Sequence, residues 1–453
     1  MKPLILDDDQ AKIVHEMIHA DTGGGYVLAS EQGAGKTVIV AQYIVEAKPD
    51  FTLIILPLGT RGDATHGWEG TLRRQGYTGP IRRVESTKAG KETEADMLKA
   101  VPGVYLMGRE LFRTKTYWPK VKPDLVAYDE VHGMQNKQSV TFKRAKQLKA
   151  GYKIAMSGTW MGNKFKGAWA PAFWVFGKDH VDNSFWRWAA EFAVVEADPF
   201  AGQIVTGERE PGRFVSTLPG YARLMANLDV DIVSEQRFVE LNPTQKRMYK
   251  EMESNLVTWL GDNPMVADIP ITMRARLRQI TLGTPSFNDA GEVDFALDSK
   301  SSKIDALKEF ISDQDDEPIL IFTHSQRFCP VVVHRLGERA VEWSGKTSAN
   351  TRQSILSQFG TKSGPRYIVA TIASIGEGVD GLQDRCATEV WLSRSDDRII
   401  NEQAGKRLHR RGQTRTVRSV DIIAPGTYDE GILSGQVKQA LAMNESMRRE
   451  RSK

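Results

Sequence analysis

The stretch that most constrains this chain is Tyr26 to Thr37, which reads Y-V-L-A-S-E-Q-G-A-G-K-T. A short apolar run leads into a glycine-bearing turn that closes on Lys36 and Thr37. The order predicts a strand feeding a phosphate-binding loop. Gly33 and Gly35 let successive N–H groups point at one spot, and the helix that follows adds its positive end. Lys36 then neutralises the β- and γ-phosphates, and the Thr37 hydroxyl holds a magnesium ion. Ser30 stands where the usual pattern has its first glycine. The loop by itself therefore leaves an ordinary strand-to-helix turn open, and the rest of the chain must decide.

At 453 residues the chain exceeds what one hydrophobic core organises, so two or three domains are expected. No apolar run approaches the length of a membrane span, and M-K-P-L-I-L-D-D-D lacks a signal-peptide core. Cys329 and Cys386 are the only cysteines, at no spacing that suggests a metal site or a disulfide framework. The expectation is a soluble protein of a reducing intracellular compartment. A net charge of +4 is too small to argue for nucleic acid, so local clustering matters more than the total.

Asp7 is placed to cap a helix running through Ile18. Gln10 within it can read an adenine edge with its amide; a solvated helix position is the alternative. Beyond the loop, Val38 to Glu46 reads as a helix and Thr52 to Leu56 as a strand stopped by Pro57, which implies a parallel sheet. Strands follow at Val104 to Met107, Asp124 to Tyr128 and Tyr152 to Met156. The Asp129-Glu130 pair falls at the carboxyl end of its strand, where such sheets bind ligands. Beside a phosphate loop, Asp129 can complete a Mg²⁺ shell and Glu130 can orient and deprotonate the attacking water. An acidic loop after a strand is the alternative.

Phe165 to Phe200 is crowded with aromatics at a spacing that fits a helical core better than a base-stacking platform. Gly202 to Gly220 reads as loop or hairpin, and Thr244 to Leu260 and Ile271 to Ile280 as helices. Arg274, Arg276 and Arg278 alternate on the second, where either nucleic acid or solvent fits. From Ser301 the strand-helix alternation restarts, with strands at Ile319 to Phe322, Tyr367 to Thr371 and Glu389 to Leu392, which makes a second α/β domain without its own phosphate loop. Between Gln403 and Arg418 every charged side chain is basic, a density of arginine that calls for anions rather than burial.

Taken in order, these segments resemble the superfamily 2 helicase-like ATPases and, within them, the Swi/Snf group of double-stranded DNA translocases. The resemblance runs from Leu6 to about Leu433. It rests on L-A-S-E-Q-G-A-G-K-T, I-I-L-P-L with Trp68-Glu69, D-E-V-H-G-M-Q-N-K-Q-S, Met156-Ser157-Gly158-Thr159 with Asn163, and Q-A-G-K-R-L-H-R-R-G-Q. Trp160 departs from the expected proline, Gly162 from a glutamine, and Glu377 from a small residue.

The resemblance implies an α/β fold of two tandem RecA-like lobes with helical insertions between them. The first lobe spans 1–164, with an aromatic-rich helical extension over 165–232. A helical insertion covers 233–300, the second lobe 301–440, and a basic tail 441–453. It implies ATP and Mg²⁺ as cofactors and duplex or branched DNA as the partner, with no membrane. Lys36, Asp129, Glu130, Arg407 and Arg410 would be catalytic, the two arginines as fingers on the γ-phosphate, and Thr37 and Asp129 would hold the metal. Nucleotide contacts would come from Gln10, Gln32, Gly33, Ala34, Gly35, Lys36, Thr37, Gly378, Asp380 and Gln403. His132, Ser157, Gly158 and Thr159 would couple hydrolysis to movement, and Pro57, Leu58, Gly108, Arg109, Thr371 and Ser374 are DNA contacts by position. The expected activity is ATP-driven movement along DNA without base reading. A strand-separating helicase acting on DNA or RNA, and a nucleotide-gated nucleic-acid scaffold with little turnover, stay open.

Overall fold

Short apolar runs bounded by glycine, proline and acidic residues become strands buried on both faces, as parallel strands must be when helices cover each side. The computed structural model describes residues 4–447 apart from 63–66, 200–201, 227, 229, 262, 268, 376–380 and 411. The chain divides into two units, residues 1–227 with 439–453, and residues 228–438.

In the first unit the strands are β1 (Gly25–Leu28), β2 (Phe51–Leu56), β3 (Ile81–Val84), β4 (Gly103–Gly108), β5 (Leu125–Asp129) and β6 (Tyr152–Met156). A separate antiparallel hairpin follows, β7 (Ala193–Asp198) with β8 (Gly202–Glu208), and then β9 (Tyr221–Ala222). The seven-stranded sheet has the order β3-β4-β2-β5-β6-β1-β9, every neighbour parallel. Its residues alternate between two cores. Val27, Leu53, Ile55 and Tyr105 pack on one face, and Tyr26, Leu28, Ile54 and Leu56 on the other. A slip of one residue would exchange the faces, so this alternation fixes the register.

The second unit contains β10 (Ile232–Phe238), the hairpins β11 (Val257–Leu260) with β12 (Asn263–Val266) and β13 (Ser286–Phe287) with β14 (Val293–Asp294), then β15 (Ile319–Thr323), β16 (Ala340–Trp343), β17 (Tyr367–Thr371), β18 (Thr388–Trp391) and β19 (Val417–Ile423). Its parallel sheet runs β10-β19-β18-β15-β17-β16. Ile319 and Ile321 face one core while Leu320 and Phe322 face the other. Each unit is thus a helix-flanked parallel sheet, and the two are tandem RecA-like lobes.

Two local expectations need correction. The helix expected over Thr244 to Leu260 ends at Asn255, because Leu256 turns into the left-handed region (φ +59) and Val257 to Leu260 pair with Asn263–Val266 instead. The aromatic segment is not helical throughout: helices Trp169–Phe176 and Phe185–Phe192 are followed by β7. Trp169, Trp174, Phe176 and Trp188 do enter the core of the first unit. Among the described residues no helix is long and apolar enough to cross a membrane.

Candidate functional site

Adjacent positions in one sheet bring the first unit's motifs together. β5, β6 and β1 are neighbours, and their carboxyl ends carry Asp129-Glu130, Ser157 to Thr159 and the Ser30 to Gly35 loop. That edge is where open parallel sheets bind ligands.

The loop opens directly onto the helix Lys36–Ala47, whose N-cap is Gly35 in the left-handed region (φ +82). No side chain caps this helix and its first turn holds no acidic residue, so its N-terminal dipole is left for an anion. A Cβ at Gly35 would lie 2.4 Å from Gln10 Nε2, which excludes any larger residue. Gln10 is buried, and both ends of its amide are engaged. Its Oε1 accepts from the Asp7 N–H in a capping box, and its Nε2 donates 3.1 Å to the Ala34 carbonyl. The glutamine therefore ties the first helix to the loop. Lys36 Nζ donates to the Ser30 and Glu31 carbonyls, each at 2.8 Å, which folds the ammonium back over the loop.

Ser30 has a structural use that sequence reasoning missed. Its buried Oγ accepts from the Leu224 N–H at 3.0 Å, while the Glu31 N–H donates to the Leu224 carbonyl at 2.9 Å. The segment after β9 thus clamps the start of the loop. No local signal could have paired positions 194 residues apart. The C-terminal residues anchor the same segment, since Tyr221 Oη donates to the Met447 carbonyl at 2.8 Å and Arg223 binds Asn444.

Asp129 is 6% exposed and accepts from Trp68 Nε1 at 3.0 Å. Burial first, and then the charge of Glu130, push its carboxyl up to about 6, against the pull of Trp68, Lys36 and Arg109. Glu130 sits in the left-handed region (φ +55), a strained setting for a side chain of this size. Burial would raise its carboxyl, but the bond and charge of His132, the Lys36 ammonium and the Ser157 hydroxyl together hold it well below the usual range. The two neighbouring acids are therefore driven apart. Ser157 Oγ also accepts from the Thr159 N–H at 3.1 Å, and Gly158 lies against the Ser30 and Glu31 backbone.

Both departures in this motif have reasons. Gly162 has φ +73, and a Cβ there would come within 2.1 Å of Gln135 Oε1, whose amide donates to the Thr159 and Trp160 carbonyls. Trp160 is fully buried near Tyr221, with ring centroids 6.1 Å apart.

In the second unit, Gln403 lies in the helix Arg398–Gly405, with Arg407 and Arg410 just beyond it. The basic run is not all surface, contrary to expectation. Arg407 is 9% exposed, its Nε donating to the Gln403 carbonyl at 3.1 Å, and Gln413 is buried with its amide on the Cys386 carbonyl. Backbone carbonyls at the end of a helix thus accommodate a guanidinium. Arg278 also proves structural, bonded to Asp396 and the Arg394 carbonyl. Gly378 and Asp380 lie outside the described residues.

Among the positional DNA candidates, Leu58 is 60% exposed and packs its side chain against Gly108, so the ends of β2 and β4 meet. Arg109 follows Gly108 and opens the next helix, and Pro57 accepts from Thr60 Oγ1 at 2.9 Å. Thr371 and Ser374 bond to one another at 2.7 Å, at the end of β17.

Residues 9–189 match the SNF2-related domain family, and residues 302–412 match the helicase conserved C-terminal domain family. An uncharacterised ATP-dependent helicase of Mycoplasma pneumoniae is 23% identical over 444 residues, covering 92% of this chain and 39% of that protein. The putative ATP-dependent helicase/translocase YwqA of Bacillus subtilis is 23% identical over 441 residues, 91% of this chain and 45% of its own length. The chromodomain-helicase-DNA-binding protein 1-like of Danio rerio is 20% identical over 440 residues, 92% of this chain and 41% of its own. The chain spans less than half the length of each of these relatives. With both domains present in that order on two RecA-like lobes, the chain belongs to the Swi/Snf group of the superfamily 2 helicase-like ATPases.

Proposed function

We propose that this chain is the motor of an ATP-driven DNA translocase, hydrolysing ATP with Mg²⁺ and moving along duplex or branched DNA through contacts to the sugar-phosphate backbone. The observation that carries this reading is the convergence of the phosphate loop, the acidic pair and the Ser157 to Thr159 segment on three adjacent strand ends. The helicase, translocase and DNA-binding names of the relatives support the choice of polymer.

The residues fit a magnesium ion. Thr37 and Asp129 offer the hard oxygen donors it takes, and Asp129 presents a buried carboxyl at the strand end next to the loop's sheet edge. When bound, such an ion neutralises charge on the β- and γ-phosphates. Gln32, Gly33, Ala34 and Gly35 supply the phosphate cradle, with Gln10 bracing it at Ala34. Lys36 exchanges its two carbonyl partners for phosphate oxygens. Glu130 stays ionised and orients the attacking water, and the Ser157 and His132 bonds fix its carboxylate. Arg407 and Arg410 stabilise the charge that develops on the transferred phosphoryl group, a role worth about a thousandfold or more in rate. Gln403, Gly378 and Asp380 complete the nucleotide contacts of the second unit.

Pro57, Leu58, Gly108, Arg109, Thr371 and Ser374 grip the strand, with Gly158 and Thr159 in the coupling segment. Backbone contacts of this kind carry no sequence information. Displacement of a third strand from a triplex tests translocation along intact duplex. ATP-dependent release that stops with Glu130→Gln supports the reading, and release equal in that variant contradicts it.

A further inference from the structure

A groove of about 670 Å³ lies in the first unit beside the acidic pair. One wall is the segment from His132 to Gln138, which begins two residues after Glu130. The others are Asn163 to Gly167, the Phe185-Trp186 pair, and Gln203 to Val205 of β8. Lys137, Lys164 and Lys166 line it with His132, and no Asp or Glu stands among the described lining residues. The groove is therefore electropositive and suits an anion. Lys137 Nζ lies over the aromatic wall, 4.0 Å from the Phe185 ring centroid and 5.4 Å from that of Trp186, so a planar ligand stacks there by taking the place of that ammonium. Trp186 is 43% exposed, whereas Trp169, Trp174 and Trp188 are buried. The core does not take it up, and it lies instead on the wall of the groove.

We propose that this groove binds a nucleotide unit, with the base on the Phe185-Trp186 faces and the phosphate at Lys164 and Lys166. Charge alone would suit an acidic peptide as well. Ring faces beside carboxamides, here Gln138 and Gln203, favour a planar base with hydrogen-bonding edges. A volume of this size holds one or two nucleotides. The occupant also has a route to the chemistry: His132 lines the groove, and its Nδ1 lies 3.1 Å from Glu130 Oε2. A ligand here therefore bears on the residue that fixes the catalytic carboxylate. The inference rests on the DNA-motor reading for the source of the nucleotide, an unpaired position in a strand. Free nucleotide shares the same chemistry.

The test is photocrosslinking of the full chain to a single-stranded oligonucleotide carrying 5-iodouracil, and separately to 5-iodo-dUMP, with the modified peptide mapped by mass spectrometry. Crosslinking at Phe185-Trp186 by the oligonucleotide supports a strand, and crosslinking there by 5-iodo-dUMP alone supports free nucleotide. Trp186→Ala and the pair Lys164→Gln with Lys166→Gln should each weaken oligonucleotide binding at least tenfold while leaving duplex-stimulated ATP hydrolysis in place. The proposal is overturned if neither probe marks that peptide and the variants bind like the parent, or if poly-glutamate displaces the oligonucleotide as well as unlabelled strand does. Failure of the motor reading looks different: the parent chain then shows no DNA-stimulated turnover, whatever the crosslinks report.

Discussion

Ser157 Oγ donates a 2.8 Å hydrogen bond to Glu130 Oε2, the same oxygen that lies 3.1 Å from His132 Nδ1. One carboxylate oxygen thus links the end of β5 to the end of β6. Glu130 is therefore held in place by the segment proposed to sense movement. Any shift of the Ser157 to Thr159 turn moves or loosens the carboxylate proposed to orient water.

Ser157→Ala should leave nucleotide affinity near normal and lower kcat by about tenfold or more, since a buried hydrogen bond to a charged group is worth about 1.5–3 kcal/mol. The readout is kcat alongside the Kd of a fluorescent ATP analogue. Parental kcat in this variant would remove Ser157 from the coupling role.

Trp68→Phe deletes the indole N–H that reaches Asp129 and puts a smaller ring in the space of a fully buried indole. A carboxylate this buried then loses a stabilising partner, so unfolding free energy should fall by about 1.5–3 kcal/mol. The magnesium concentration giving half-maximal ATP hydrolysis should rise as well. Urea unfolding and a magnesium titration check the two parts, and an unchanged magnesium requirement would show that Trp68 serves packing alone.

Glu389 gives the second unit a pH dependence. Burial raises its carboxyl to about 7, assisted by Asp421 and opposed by Ser419, Trp391 and Arg394. Below its ordinary value of 4.5 the group is protonated in both folded and unfolded chains. As pH rises from there to about 7, only the unfolded chain releases the proton, so stability declines by roughly 3 kcal/mol and levels off above. Glu389→Gln should flatten that slope and exceed the parent in stability at pH 8. Urea midpoints across pH 4.5 to 8 decide it, and parallel curves for the two proteins would contradict it.

The motifs were legible because they sit at strand ends where local chemistry decides everything: an apolar run, then glycines and a lysine, or an apolar run, then two acids. That β5, β6 and β1 lie side by side was not legible, because their order is set by crossovers rather than by local pattern. Edge strands β3 and β16 were not legible, because their half-exposed residues blur the apolar pattern. Nor was β19, which hides behind the basic run that precedes it. The clamp from Leu224 onto Ser30 is a contact between distant backbone groups and leaves no trace in local pattern. The aromatic segment shows both limits at once: Trp188 is core and Trp186 is not, and only the face each takes on its helix separates them.

The central claim is tested most directly by steady-state ATP hydrolysis measured with no nucleic acid, duplex DNA, single-stranded DNA, branched DNA and RNA, using Glu130→Gln as the blank. The account predicts turnover stimulated strongly by duplex or branched DNA and abolished in the blank. Stimulation confined to single strands or RNA, or no turnover above the blank with any of them, would contradict it.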